Sequence, residues 1–180
     1  MNQRVTMPSV VSLGLLILWV FSAVGCGSPE RPRLRGNVVT VTAERDDLST
    51  WNLLLERADM ARRLSATVGP ITVFAPTNDA FDLLPAGTVE HLLRAEDRAR
   101  LVDVIENHLV RDDLTTDRFA TVGAVRTLTG DRVPIQYAGE SWWYGEARIV
   151  DPGWRHTANG VVHVINRVVW PSQERRRELP

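Results

Sequence analysis

Lysine is absent from the 180-residue chain, and all 21 basic side chains are arginine. That excludes Schiff-base chemistry, a phosphate-loop lysine and a kinase-type lysine, each of which needs the amine. Cysteine is nearly absent, with Cys26 alone. One thiol forms no intramolecular disulfide and no multi-cysteine zinc site. There is no excess of one charge: 21 basic and 22 acidic residues leave a net charge of −1. That balance excludes a nucleic-acid binder driven by bulk charge and an acidic disordered chain. Gly-x-Ser-x-Gly and His-x-x-x-His are missing, as is a glycine-rich phosphate loop after a strand. Nucleophile, metal and phosphate chemistry thus lack their usual motifs. The sequence calls for no catalytic residue, no metal and no cofactor. What remains is ordinary for a globular domain, 44% hydrophobic and 24% charged, in a chain of single-domain length.

The first residues read as an address. Arg4 gives a positive start, and Val10 to Phe21 is apolar apart from Ser12 and Gly14. This run is shorter than the roughly 20 residues of a membrane span, and small residues follow it, as in a secretory signal. The exit Ala23-Val24-Gly25-Cys26 resembles a bacterial lipobox, with Ala23 where a leucine is usual. The resemblance implies a signal peptide over 1–25 and a diacylglycerol-modified Cys26, labelled by palmitate. Gly27 leans toward the outer membrane rather than retention at the inner one. The expected location is therefore the bacterial cell envelope, exported and lipid-anchored. Residues 26–37 read as the lipidated cysteine and a Pro/Gly-rich tether, and 172–180 as a polar tail.

Between them, residues 38–171 show helices first and strands later, an α+β order. Val38–Val41 is β-branched and suggests a leading strand. Trp51, Leu54, Leu55, Ala58 and Ala61 recur at helical spacing and predict one helix over about Leu48–Leu64. Ile71–Ala75 predicts a strand stopped by Pro76, and Thr77, Asn78 and Asp79 can cap the next helical turn. Leu101, Val104, Ile105, His108 and Leu109 form a stripe that predicts a helix over about Glu96–Leu109 with His108 in the core. Short strands are expected at Ala124–Leu128, Val133–Tyr137, Trp142–Tyr144 and Ala147–Val150, and a longer one at Val161–Trp170 after an Asn159-Gly160 turn.

Two segments carry a resemblance. Thr72–Phe81 reads TVFAPTNDAF and Asn159–Pro171 reads NGVVHVINRVVWP. They resemble the two signature segments of the fasciclin-type domain, and LVDVIENHLV between them is similar to that family's central helix. The resemblance covers about Val38–Pro171. It implies a compact wedge of β-strands with several packed helices. It also implies a role in adhesion or in binding an unknown protein or envelope polymer, without general catalytic activity. Its signature residues here are Thr72, Phe74, Pro76, Thr77, Asn78, Asp79, Phe81, His108, Asn159, Gly160 and His163. Some family features are replaced. Asn107 stands where a tyrosine commonly precedes the histidine, and Asp151-Pro152 replaces an Asp-Ile pair, which weakens both integrin motifs of animal relatives. No Arg-Gly-Asp triplet and no Asn-x-Ser/Thr acceptor occurs.

Alternation puts Trp142 and Tyr144 on one strand face and Trp143 on the other. The family's apolar–variable–apolar pattern turns the first two inward, which makes Trp143 the candidate partner contact. Asp112, Asp113 and Asp117 lack the alternation of a calcium loop and read as turn or helix-end residues. His91 and His156 read as surface residues. The alternative to macromolecular binding is an envelope carrier that holds a small hydrophobic ligand between helices and sheet.

Overall fold

The computed structural model describes residues 36–173; Cys26, the signal segment and the arginine-rich tail end lie outside the described residues. The helices are α1 Val38–Thr42, α2 Ser49–Arg57, α3 Met60–Ser65, α4 Asn78–Asp82, α5 Thr88–Leu92, α6 Arg98–Glu106 and α7 Thr116–Phe119. The strands are β1 Ile71–Pro76, β2 Leu109–Val110, β3 Ala124–Arg126, β4 Arg132–Ala138, β5 Ser141–Tyr144, β6 Ala147–Thr157 and β7 Gly160–Ile165. The fold is α+β.

One sheet runs in the order β2-β1-β7-β6-β5-β4-β3. Only β1 and β7 pair in parallel; the other neighbours are antiparallel. A bridge between Val110 and Thr127 brings the two ends of the sheet together, so it curls almost into a barrel. Alternation along the strands then serves two cores. Val73, Ala75, Val162 and Val164 face the helices and meet Trp51, Leu54, Leu101 and Ile105. Phe74 and Ile165 face the inside of the curl and meet Phe119, Ile135, Tyr144 and Ile149.

The β-branched run at Val38–Val41 is helix α1 rather than a strand. Asn37 Oδ1 accepts from the Val39 and Thr40 amides at 3.0 Å each, and the Thr40 hydroxyl oxygen accepts from Asn37 N–H at 2.8 Å. This capping box satisfies orphan donors of the first turn. Val38 and Val41 bury on the helical core, and that packing overrides their β preference. The single helix expected over Leu48–Leu64 is two. Asp59 adopts φ 57°, a left-handed conformation that breaks the chain between α2 and α3. Arg98 holds the break by donating to the Asp59 carboxylate and to the Ala58 carbonyl.

The ends of β6, β7 and α6 also moved. β6 runs on to Thr157 through an irregularity between Asp151 and Arg155. Pro152 lies there, where a missing N–H costs no ladder bond. β7 ends at Ile165, five residues before Trp170, because the chain turns back to bury Val168 and Val169. Asn166 Oδ1 accepts from Arg148 N–H at 2.8 Å at that turn. Helix α6 ends at Glu106, and β2 already starts at Leu109.

Candidate interaction face

The signature residues build the frame. Thr72 donates its hydroxyl to the Asp112 carbonyl at 2.7 Å and accepts from Leu114 N–H at 3.0 Å, which ties β1 to the loop after β2. Thr77 caps α4 by accepting from Ala80 N–H at 3.3 Å, and Asp79 sits in that helix's first turn. Pro76 closes β1 opposite Ile165, and Phe81 buries in the helical core. Asn78 accepts from Thr50 N–H and donates to the Asp46 carbonyl, both at 3.0 Å, joining α4 to the start of α2. Asn159 accepts from Val38 N–H and donates to the Leu64 carbonyl, both at 2.9 Å. One amide thus holds α1 and α3 on the β6–β7 turn.

Both core histidines are fully enclosed. His108 Nδ1 lies 2.7 Å from the Val104 carbonyl, and Nε2 accepts from Val169 N–H at 3.0 Å. His163 is reversed: Nδ1 accepts from Gly153 N–H at 2.7 Å, and Nε2 lies 2.7 Å from the Leu114 carbonyl. A carbonyl only accepts and an amide only donates, so each ring is fixed as one neutral tautomer. Burial pushes both imidazoles down to about 4. With every ring nitrogen bonded to backbone, these are packing groups.

Asn107, noted in the sequence only as a replacement, is a buried hub. Its side chain donates to the Val169 carbonyl at 2.9 Å and accepts from Thr129 at 3.1 Å and Thr127 at 3.3 Å. Its own carbonyl accepts from the Tyr144 hydroxyl at 2.6 Å. No local pattern around Asn107 signals this, because its partners lie 20 to 62 residues away.

An aromatic series runs outward from that hub. Tyr144 stacks on Phe74 with centroids 3.9 Å apart, and Phe74 lies 5.2 Å from His163. His163 lies 4.7 Å from Phe119, Phe119 meets Trp142 edge-on at 5.3 Å, and Trp142 tilts against Tyr137 at 5.1 Å. The series ends at Tyr137, which is 62% exposed. Between these outer rings lies an open groove of about 450 Å³, lined by Phe119, Ala120, Gly123, Ile135, Tyr137 and Trp142. The register pairs Tyr137 with Trp142 and Gln136 with Trp143, so Trp143 lies on the other face, opposite Arg148. Trp143 is half-buried rather than exposed, and its indole N–H donates to the Ala138 carbonyl at 3.0 Å. The open aromatic is Tyr137, which alternation alone did not distinguish from a buried one. Asp112, considered above for calcium, gives both carboxylate oxygens to Arg118 at 2.7 and 3.0 Å.

Comparison with known proteins accounts for this frame. The Fasciclin domain family profile matches residues 46–171. The chain belongs to the fasciclin-domain family. Protein sll1483 of Synechocystis is 37% identical over 134 residues, 74% of this chain and 73% of that protein. The cell surface glycolipoprotein MPB83 of Mycobacterium bovis is 35% identical over 103 residues, 57% of this chain and 44% of its own. A FAS1 domain pair from the insect cell adhesion molecule fasciclin I matches with a TM-score of 0.66 at 15% identity, over 78% of this chain and 53% of that one. The chain thus spans about half the length of the last two.

Proposed function

We propose that this is a lipid-anchored cell-envelope protein whose fasciclin domain binds another macromolecule, protein or envelope polymer, without catalysis. The groove at Phe119, Ile135, Tyr137 and Trp142 carries the reading. It is apolar, open and edged by an exposed aromatic ring, the kind of surface on which contact energy concentrates. The cell-surface name of MPB83 and the adhesion role named for fasciclin I support the same class of function.

The test is a pull-down from envelope extract with carboxyl- or photo-reactive crosslinking, since the chain offers no lysine. Tyr137→Ala should abolish capture of the partner and leave stability within about 0.5 kcal/mol, as exposed positions do. Capture that survives Tyr137→Ala and is lost in Trp143→Ala moves the contact to the opposite sheet face and refutes the groove.

Anchoring is tested separately. Two acyl chains on one cysteine suffice for stable attachment. In a bacterium with the lipoprotein pathway, Cys26→Ala should lose palmitate labelling and leave the membrane fraction. Undiminished labelling would sink the anchor. A second reading, the carrier of a small hydrophobic ligand, has its own observation in a cavity at the start of β1.

A further inference from the structure

The cavity lies where α3, the loop 67–70 and the start of β1 approach the residues after β2 and β3. Its volume is about 280 Å³, and Met60, Leu64, Ile71 and Leu128 give it an apolar lining. At roughly 30 Å³ per water-sized volume it has room for about nine. That suits a ligand of about ten non-hydrogen atoms.

Two arginines, Arg63 and Arg111, line the same cavity. Both side chains are exposed, so the charge faces solvent while the apolar wall lies behind it. Arg63 Nη1 rests 3.1 Å from Met60 Sδ, and its Nη2 is 3.9 Å from Glu106, beyond hydrogen-bond reach. The Arg111 side chain has no hydrogen bond or ion pair among the described residues. The guanidinium fork matches a carboxylate with two parallel N–H bonds. Val68 stands wholly exposed beside it, an uncovered apolar side chain in the cavity's own lining.

We infer that this cavity is a binding site for a small amphiphilic carboxylate, its anionic head on Arg111 and Arg63 and its short alkyl tail on Met60, Ile71 and Leu128. This gives the carrier reading a ligand class and rests on that reading, not on the aromatic groove. An uncharged alcohol of equal length would fill the apolar wall and leave both guanidinium groups in water. A short carboxylate such as acetate would do the reverse.

Octanoate titrated into the purified protein, followed by isothermal calorimetry and by methyl chemical shifts, tests this. Saturable binding is expected, with the largest shifts at Met60, Ile71 and Leu128. Octanol and acetate should each bind at least about tenfold more weakly. Arg111→Ala should weaken octanoate about tenfold or more, and so should Val68→Glu, which sets a like charge at a fully exposed position where folding is unaffected. Arg126→Ala and Tyr137→Ala should leave the affinity unchanged, so a failed groove and a failed cavity give different results. Equal affinity for octanol and octanoate would overturn the carboxylate assignment. Shifts confined to the Trp142 groove, or no saturable binding, would overturn the site.

Discussion

Acidification from pH 7.5 to 4.5 should remove about 2–3 kcal/mol of stability for each of His108 and His163. Both rings are held neutral in the folded protein, at about 4 against an ordinary 6.5, first by burial and against the pull of the carbonyls of Val104 and Leu114. The unfolded chain takes up two protons as the pH falls through 6.5, and the folded chain refuses them until about 4. The unfolded state therefore binds more protons across that window, and stability declines with falling pH. It is fully present above 6.5 and levels off below 4. The geometry explains why the rings cannot yield. A second proton would point an N–H at the amide of Val169 in one case and of Gly153 in the other.

Against a total of about 5–15 kcal/mol, that loss is large. Urea unfolding midpoints at intervals between pH 7.5 and 4.5 will show it. His108→Gln and His163→Gln should each start less stable and each lose about half of the pH slope. The arginine-paired carboxylates Asp47, Asp59 and Asp112 are held below the usual range, so their contribution fades only at lower pH. A midpoint that stays constant down to pH 4.5 would show that the rings titrate normally.

The histidines also show how far local sequence carries. Helical spacing from Leu101 places His108 in the core, and it lies there although α6 has ended two residues earlier. Alternation along Val161–Ile165 likewise encloses His163 between valines. The spacing says that a polar ring is buried, but not which atoms satisfy it. The partners Val169 and Leu114 lie 61 and 49 residues away. The same limit explains α1. Its β-branched composition is local, whereas the Asn159 amide that receives Val38 N–H sits 121 residues along the chain. The break at Asp59 was equally hidden, since an aspartate between two apolar stripes reads as a solvated helix position until Arg98 is seen to hold it. In the aromatic groove, alternation sorted the faces of β5 correctly. How far out of the core each ring reaches depends on α7 and β4, which no window around Trp142 contains.

Gly160→Ala should destabilise the domain by at least about 3 kcal/mol, chiefly through a backbone collision that adds to the strain of alanine at φ 157°. Gly160 opens β7 and pairs on one side with Ile71 in the parallel ladder and on the other with Thr157. A β-carbon on Gly160 would fall on the carbonyl oxygen of Ile71, with the Ile71 carbonyl carbon at 2.7 Å and its nitrogen at 2.9 Å. All three neighbours are main chain, so no side-chain rotation makes room. Relief requires β1 and β7 to part at their shared start, where Ile71 N–H donates to the Asn159 carbonyl at 2.9 Å. Moving Asn159 also pulls its side chain from Val38 and Leu64, so α1 and α3 lose their tie to the sheet. Gly139→Ala supplies the contrast. That glycine has φ 57° with nothing within 4 Å of an added β-carbon, so alanine there meets only the left-handed backbone penalty of about 1–2 kcal/mol. Urea unfolding of the two variants separates the causes. A similar loss in both would mean that β1 and β7 tolerate a methyl group between them, and the close approach at Gly160 would not be what holds the parallel pair in register.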